Sequence, residues 1–201
     1  TSVLVVFLFN FHVYKDPLTN LRDSAFQVTS LMTTTGYGTA DYELWPVLAQ
    51  YILVALMFVG GCAGSTGGGM KNVRVLLLVK HSFLQLSRLI HPRRVRLLKI
   101  DQKTVSDEVI QSILGFFALY IGIFVFASLG MAALGVDLVT AGASVIACLS
   151  NIGPGLGQVG PTDNFAHLPE AGHARLSFCM LVGRLEVFTV LVLVFPSFWR
   201  K

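Results

Sequence analysis

Residues 109–134 run for 26 positions with no ionisable side chain except Tyr120. A helix crosses the hydrocarbon core of a bilayer in roughly 20 apolar residues, so this run spans with some tilt. Composition extends the point to the whole chain, which is 54% hydrophobic and 13% charged with mean hydropathy +0.69. A soluble domain carries about 25% charged residues. Halving that share implies a solvent other than water, and the chain reads as a membrane protein built of helices. The formal charge of +4 would suit nucleic acid, but its placement does not. Nine of the fifteen basic residues lie between Lys71 and Lys103, beside long apolar runs. That is the pattern of one cytoplasmic connection under the positive-inside rule, with anionic lipid as its neighbour.

The apolar runs differ in length, and the short ones are informative. Thr1–Phe11 is uncharged but too short to cross; it reads as the outer end of a longer helix. It lacks the basic start and small-residue cleavage site of a signal peptide. Leu21–Met32 is also short, and it runs into Thr33-Thr-Thr-Gly-Tyr-Gly38. Asp41, Tyr42, Glu43 and Trp45 read as an interfacial patch, and Pro46 is placed to open a helix. The apolar run from Pro46 to Val59 then meets six glycines within the ten residues Gly60–Gly69. Each glycine costs a helix about 1 kcal/mol relative to alanine, so the helix should break there and resume at Met70. Ser106 or Asp107 should cap the long span. Asp137–Leu149 is short again and leads into Ser150-Asn-Ile-Gly-Pro-Gly-Leu-Gly157. Ala171–Phe195 reads as one last span, closed by Trp199, Arg200 and Lys201 at a cytoplasmic interface.

This order repeats. Laying Gly36 over Gly153, a shift of 117, places Gly38 on Gly155 and Thr34 on Asn151. At a shift of 123, Val59-Gly60 falls on Val182-Gly183, the extra residues lying in the polar loop where insertions are tolerated. Each unit reads as helix, short pore helix, glycine-rich loop, helix. The expected divisions are residues 1–90, a basic connection at 91–106, and residues 107–201. Thr-Gly-Tyr-Gly suits an aromatic turn. It is also a close variant of the potassium-channel filter, in which aligned backbone carbonyls replace the water shell of a cation. Non-helical backbone at membrane depth survives only where protein or a wet cavity satisfies it. A filter encloses an axis, and two loops cannot enclose an ion. Either the chain pairs around a pore, or it is half of a four-repeat protein, which the shortened first helix favours.

Thr34-Thr-Gly-Tyr-Gly38, the Gly60–Gly69 loop, Ser150-Asn-Ile-Gly-Pro-Gly155 and Gly183-Arg-Leu-Glu-Val-Phe-Thr189 together resemble the carboxy-terminal half of bacterial Trk/Ktr-type potassium uptake proteins. These belong to a superfamily that includes the plant HKT transporters. The resemblance covers essentially the whole chain. It implies an all-α membrane fold of four helix–pore helix–filter–helix units, of which the third and fourth are present. It implies a homodimer with one pore per subunit and a cytoplasmic nucleotide-binding regulatory subunit, in a bacterial inner membrane. Filters would face outside, with residues 80–103 and the C-terminus cytoplasmic. Potassium is the expected cargo, with no covalent or organic cofactor and no enzymatic activity. By resemblance, Gly36 and Gly153 mark selectivity, Gly60–Gly69 is an intramembrane gating loop, and Arg184 is a pore-facing arginine. Ile152 and Pro154 depart from the channel filter and leave a sodium-permeable or K+/Na+ (or K+/H+) symporting relative open. A non-conducting membrane subunit is the reading from another class.

Residue chemistry fills in this outline. Candidate ion ligands are the carbonyls of Thr34, Thr35, Gly36 and Tyr37 in one loop and of Asn151, Ile152, Gly153 and Pro154 in the other. Proline lacks an N–H but keeps its carbonyl. An arginine midway along an apolar span is expensive and should face the bundle interior or a wet cavity. A pair between Arg184 and Glu186 is geometrically poor, because residues two apart on a helix do not face each other. The shift of 123 sets Arg184 opposite Gly61, so the arginine and the loop should lie at one depth. Together, Gly60, Gly61, Gly64, Ser65, Thr66, Gly67, Gly68, Gly69 and Arg184 are the expected gate. The loop departs from a phosphate-binding loop: Met70 separates Gly69 from Lys71, Asn72 follows the lysine, and the preceding run reads as a membrane helix; ATP-analogue labelling of Lys71 would revive that reading. The segment Lys80–Lys103 suits either a solvated surface near anionic lipid or a docking site for the regulatory subunit. Cys62, Cys148 and Cys179 read as buried thiols, and the five histidines show no metal-ligand spacing.

Overall fold

The computed structural model describes residues 2–62, 64–90, 98–100, 103–194 and 196–199. It is helical throughout, apart from a two-residue antiparallel pairing of Lys99–Ile100 with Lys103–Thr104. Helix α1 spans Ser2–Phe9, α2 Pro17–Met32, α3 Val47–Phe58 and α4 Asn72–Ile90. Helix α5 spans Asp107–Ala132, α6 Leu138–Leu149, α7 Glu170–Arg184 and α8 Val187–Val194. Among the described residues, α5 alone is long and apolar enough to cross a membrane unaided.

The two short helices are stopped and started by identifiable residues. Asp16 caps α2, accepting from the N–H of Thr19 at 3.2 Å, and Pro17 fills the first helical position, where its missing N–H costs nothing. Asp137 caps α6, accepting from the Thr140 N–H at 3.1 Å. Hydrogen bonds from the threonine side chain and then its N–H hold the Asp16 and Asp137 carboxyls below their usual range. A lowered folded-state pKa contributes stability above the ordinary carboxylate pKa, and that contribution is lost as pH falls through the lowered value. Asp137→Ala should cost about 1 kcal/mol, the usual worth of such a cap, read as a lower thermal midpoint at neutral pH.

The core gathers around α6, which is buried along most of its length against α5, α7 and the end of α3. Helix α2 is more polar and buries Asn20, Asp23, Ser24, Gln27 and Ser30. These groups find partners: Asn20 Nδ2 donates to the Phe7 carbonyl at 3.0 Å, and Ser24 donates to Asn20 Oδ1 at 3.0 Å. Arg175 of α7 donates to the carbonyl of Gly130 in the last turn of α5, where a cation suits the negative end of the helix dipole.

Three sequence expectations change. The last span is not continuous: α7 ends at Arg184 and α8 begins at Val187, with Glu186 between them at φ +58°. The break falls in Gly183-Arg184-Leu185-Glu186, whose charges read in sequence as lying within one continuous apolar run. Tyr42 and Trp45 do not form an exposed patch; both are buried inside the protein, their rings packed edge-on 6.4 Å apart. Cys62 is exposed in the glycine loop, whereas Cys148 and Cys179 are buried as expected. Residues 91–97 and 101–102, which carry Arg93, Arg94 and Arg96 of the basic connection, lie outside the described residues.

Candidate functional site

Both short helices end in the same local geometry. Thr33 closes α2 at φ −84°, ψ 0°, and Ser150 closes α6 at φ −86°, ψ −2°. The next residues, Thr34 and Asn151, take φ +55° and +54°. Few side chains tolerate that left-handed region, so its appearance at matched positions is a specific likeness. The N–H groups of Thr35 and Ile152 reach back to the carbonyls of Ser30 and Ala147, each at 2.9 Å. Gly36 and Gly153 follow with φ +78° and +110°. The repeat inferred from a shift of 117 is therefore present in the backbone, residue for residue.

This turn leaves a row of backbone acceptors free. Among the described residues, none donates a hydrogen bond to the carbonyls of Thr34, Thr35, Gly36, Asn151, Ile152, Gly153 or Pro154. The Tyr37 carbonyl differs, because the Ser30 hydroxyl donates to it at 2.7 Å. Its direction is set by Ser30 of α2, and it alone of the eight expected ligands already accepts a hydrogen bond among the described residues. The loops also touch. A Cβ on Gly36 would sit 1.9 Å from the Ile152 carbonyl oxygen.

Two residues that carry no bracing role in the sequence reading, Tyr42 and Ser150, hold this arrangement. Tyr42 donates its hydroxyl to the Gly155 carbonyl at 2.6 Å, tying the first unit to the C-terminal end of the second loop. Ser150 donates to the Met57 carbonyl at 2.7 Å, and Tyr120 meets the same hydroxyl at 2.8 Å. Met57 is in the last turn of α3, whose carbonyls have lost their helical partners to the glycine break. An aromatic hydroxyl just beyond the first glycine turn and a serine at the start of the second are the sequence hints, and neither is specific. Tyr42→Phe leaves a buried carbonyl unpaired and should cost about 1–3 kcal/mol of stability, measured as a lowered thermal midpoint.

The glycine loop passes directly below these turns. Its ends are stapled: Gly60 donates to the Met70 carbonyl at 2.7 Å, and Met70 donates to that of Phe58 at 3.1 Å. Its middle reaches both units. The Gly68 N–H donates to Thr34 Oγ1 at 3.2 Å, and a Cβ on Gly68 would lie 1.9 Å from the Ser150 carbonyl oxygen. Two cations hold the lower side of the loop. Lys71 Nζ donates to the carbonyls of Ser65 at 2.6 Å and Gly67 at 2.7 Å. Arg184 donates to the carbonyl of Thr66 at 2.5 Å. Arginine and loop thus share a depth, as the shift of 123 predicts. Glu186 does not pair with Arg184; it takes Arg74 at 2.9 Å, and the Arg74 guanidinium lies 4.2 Å from the centre of the Phe116 ring. No cluster of metal-ligating side chains occurs among the described residues.

Comparison with known proteins decides the family. The TrkH cation transport protein family matches residues 4–201. The chain belongs to the TrkH family. The Trk system potassium uptake protein TrkH of Salmonella typhimurium is 44% identical over 192 residues, covering 95% of this chain and 39% of that protein. Its counterpart in Escherichia coli strain K12 is 43% identical over 192 residues, with the same coverage. The crystal structure of the potassium transporter TrkH from Vibrio parahaemolyticus superposes with a TM-score of 0.91 at 40% identity, covering 98% of this chain and 42% of that one. The chain thus spans about two fifths of the length of the TrkH proteins it matches. The all-α membrane fold follows from this likeness, and TrkH proteins are transporters rather than enzymes.

Proposed function

We propose that this chain supplies two neighbouring quadrants of a potassium-selective pore used for uptake, residues 1–90 and 107–201 being its two pore units. The observation that carries the reading is the pair of matched turns, which leave two rows of free carbonyls side by side. Carbonyls that no N–H satisfies are costly away from water unless an ion or water uses them. A dehydrated K+ held by Thr34, Thr35, Gly36, Asn151, Ile152, Gly153 and Pro154 is the ligand that suits them, with Tyr37 a lesser contributor. The names of the relatives, which are potassium uptake proteins of a Trk system, support the same cargo.

The loop Gly60–Gly69 is the gate in this reading. It lies under both filter units, and Arg184 adds a charge that repels cations. The filters face outside, and residues 80–103 meet the cytoplasm and anionic lipid. A homodimer and a cytoplasmic nucleotide-binding regulatory subunit complete the assembly that the resemblance implies.

A reversal potential tests the reading. The full-length protein containing this chain is placed in a planar bilayer, with K+ on one side and Na+ on the other. The expected potential is close to the K+ equilibrium value. A potential near zero would make the pore cation-nonselective and assign weight to Ile152 and Pro154. A protein that conducts neither ion, even with its regulatory subunit added, would overturn the proposal.

A further inference from the structure

Below the glycine loop lies a polar cavity of about 240 Å³, lined by Ser65, Thr66, Lys71, Arg74, Arg184 and Glu186, with Phe116 and Tyr120 forming one wall. Its charges do not balance. Three cations face one carboxylate, and that carboxylate is already committed to Arg74 at 2.9 Å. Lys71 and Arg184 bond only to the neutral carbonyls of Ser65, Gly67 and Thr66 and to the Ser65 hydroxyl among the described residues. Two helix N-termini also lie beside the lining residues. Helix α4 starts at Asn72, directly after Lys71, and α8 starts at Val187, directly after Glu186. A helix N-terminus carries about half a positive charge and favours an anion.

We propose that this cavity binds a small inorganic anion, of phosphate size or less, between Lys71, Arg74 and Arg184. The chemistry suits it: an ammonium, two guanidinium groups and the hydroxyls of Ser65 and Thr66 are all donors, and charge-assisted bonds to phosphate are among the stronger hydrogen bonds. The volume accommodates the ion with water around it. Binding also competes with the loop. An anion that draws Lys71 and Arg184 towards itself takes them from the carbonyls of residues 65–67. By linkage, an anion that prefers the released loop shifts the loop towards release, and a loop already released binds the anion more tightly. The binding claim rests on cavity and charge, and stands or falls separately from K+ conduction.

Thermal unfolding of the full-length protein tests it. The protein is held in discs of neutral phosphatidylcholine at fixed ionic strength, with gluconate replaced stepwise by inorganic phosphate. The expected result is a saturable rise of several degrees in the midpoint, because a ligand that binds only the folded state stabilises it. Lys71→Gln should lose the rise or need at least tenfold more phosphate, and Lys71→Arg should keep it. Should Lys71→Gln fold poorly, Arg74→Gln gives the same reading. A midpoint that does not respond saturably in the wild type, or one that responds equally in Lys71→Gln, overturns the proposal. A lipid headgroup offers the same phosphate chemistry. Discs of phosphatidylglycerol distinguish it: if they abolish the phosphate response of the wild type and stabilise it relative to Lys71→Gln, the same cations hold a headgroup and the site is supported with lipid as its source.

Discussion

Gly36→Ser should move the reversal potential of the full-length protein from near the K+ equilibrium value towards zero under opposed K+ and Na+. Two physical costs act together at this position. The backbone sits at φ +78°, where a side chain costs on the order of 1–2 kcal/mol. A Cβ would also lie 1.9 Å from the Ile152 carbonyl oxygen, where ordinary contact begins near 3.4 Å. The obstacle is backbone, not the end of a flexible side chain, so one filter strand must shift by more than an ångström. The carbonyl moved is itself a proposed ligand. Discrimination between K+ and Na+ depends on the spacing or number of such carbonyls, and the variant disturbs both. A K+/Na+ permeability ratio that survives Gly36→Ser unchanged would remove Gly36 and Ile152 from the filter. Since Tyr37 is already held by Ser30, Ser30→Ala tests the neighbouring ligand more gently and should leave selectivity largely intact.

Arg184→Ala should raise K+ flux in the unstimulated state by tens of fold. The estimate is electrostatic. A unit charge on the order of 8 Å from a passing cation, at an effective dielectric constant of ~20, raises its energy by about 2 kcal/mol. That is about thirtyfold in rate. The variant also removes the bond to the Thr66 carbonyl at 2.5 Å and leaves Lys71 as the one cation bonded to the loop among the described residues. Rubidium uptake into proteoliposomes without the regulatory subunit measures the effect. Arg184→Lys keeps the charge and should rise far less. Flux that stays at the wild-type level in Arg184→Ala would sink the gating role of this arginine. The neighbouring Glu186 gives a contrast, since its partner is Arg74 and its loss should loosen the α7–α8 break without removing the charge below the filter.

Much of this architecture was legible because glycine and length are strong signals in an apolar chain. The break after Val59 follows from six glycines, and the two short helices follow from runs too brief to cross a bilayer. The repeat was visible at Gly36 and Gly153, although identity around them is weak, because only glycine meets the backbone demand easily. What escaped detection depends on contacts far apart in sequence. The break at Leu185–Glu186 has a single glycine, Gly183, beside it and no proline, a weaker signal than the six glycines after Val59. It is stabilised by Arg74, 112 residues away, and by Phe116 beneath that arginine. Tyr42 looked interfacial because aromatic residues beside acidic ones usually are. Its burial is set by Gly155, 113 residues on. The sequence places Lys71 at the head of the basic connection and offers it as a poor phosphate-loop lysine; its grip on Ser65 and Gly67 appears once the loop folds back.

The contact between the two filter loops is directional. Gly36 leans on the carbonyl of Ile152, yet the matching face of Gly153 meets nothing within 4 Å among the described residues. Such a head-to-tail contact is heterologous, and a heterologous contact either propagates or closes on itself. In the pore proposed above, with near-equivalent units, such a contact closes as a ring, each glycine pressed against the carbonyl of its successor in one rotational sense. On that reading the open face of Gly153 fits a further loop of the same kind, and the hand of the ring follows from which of these two glycines is covered.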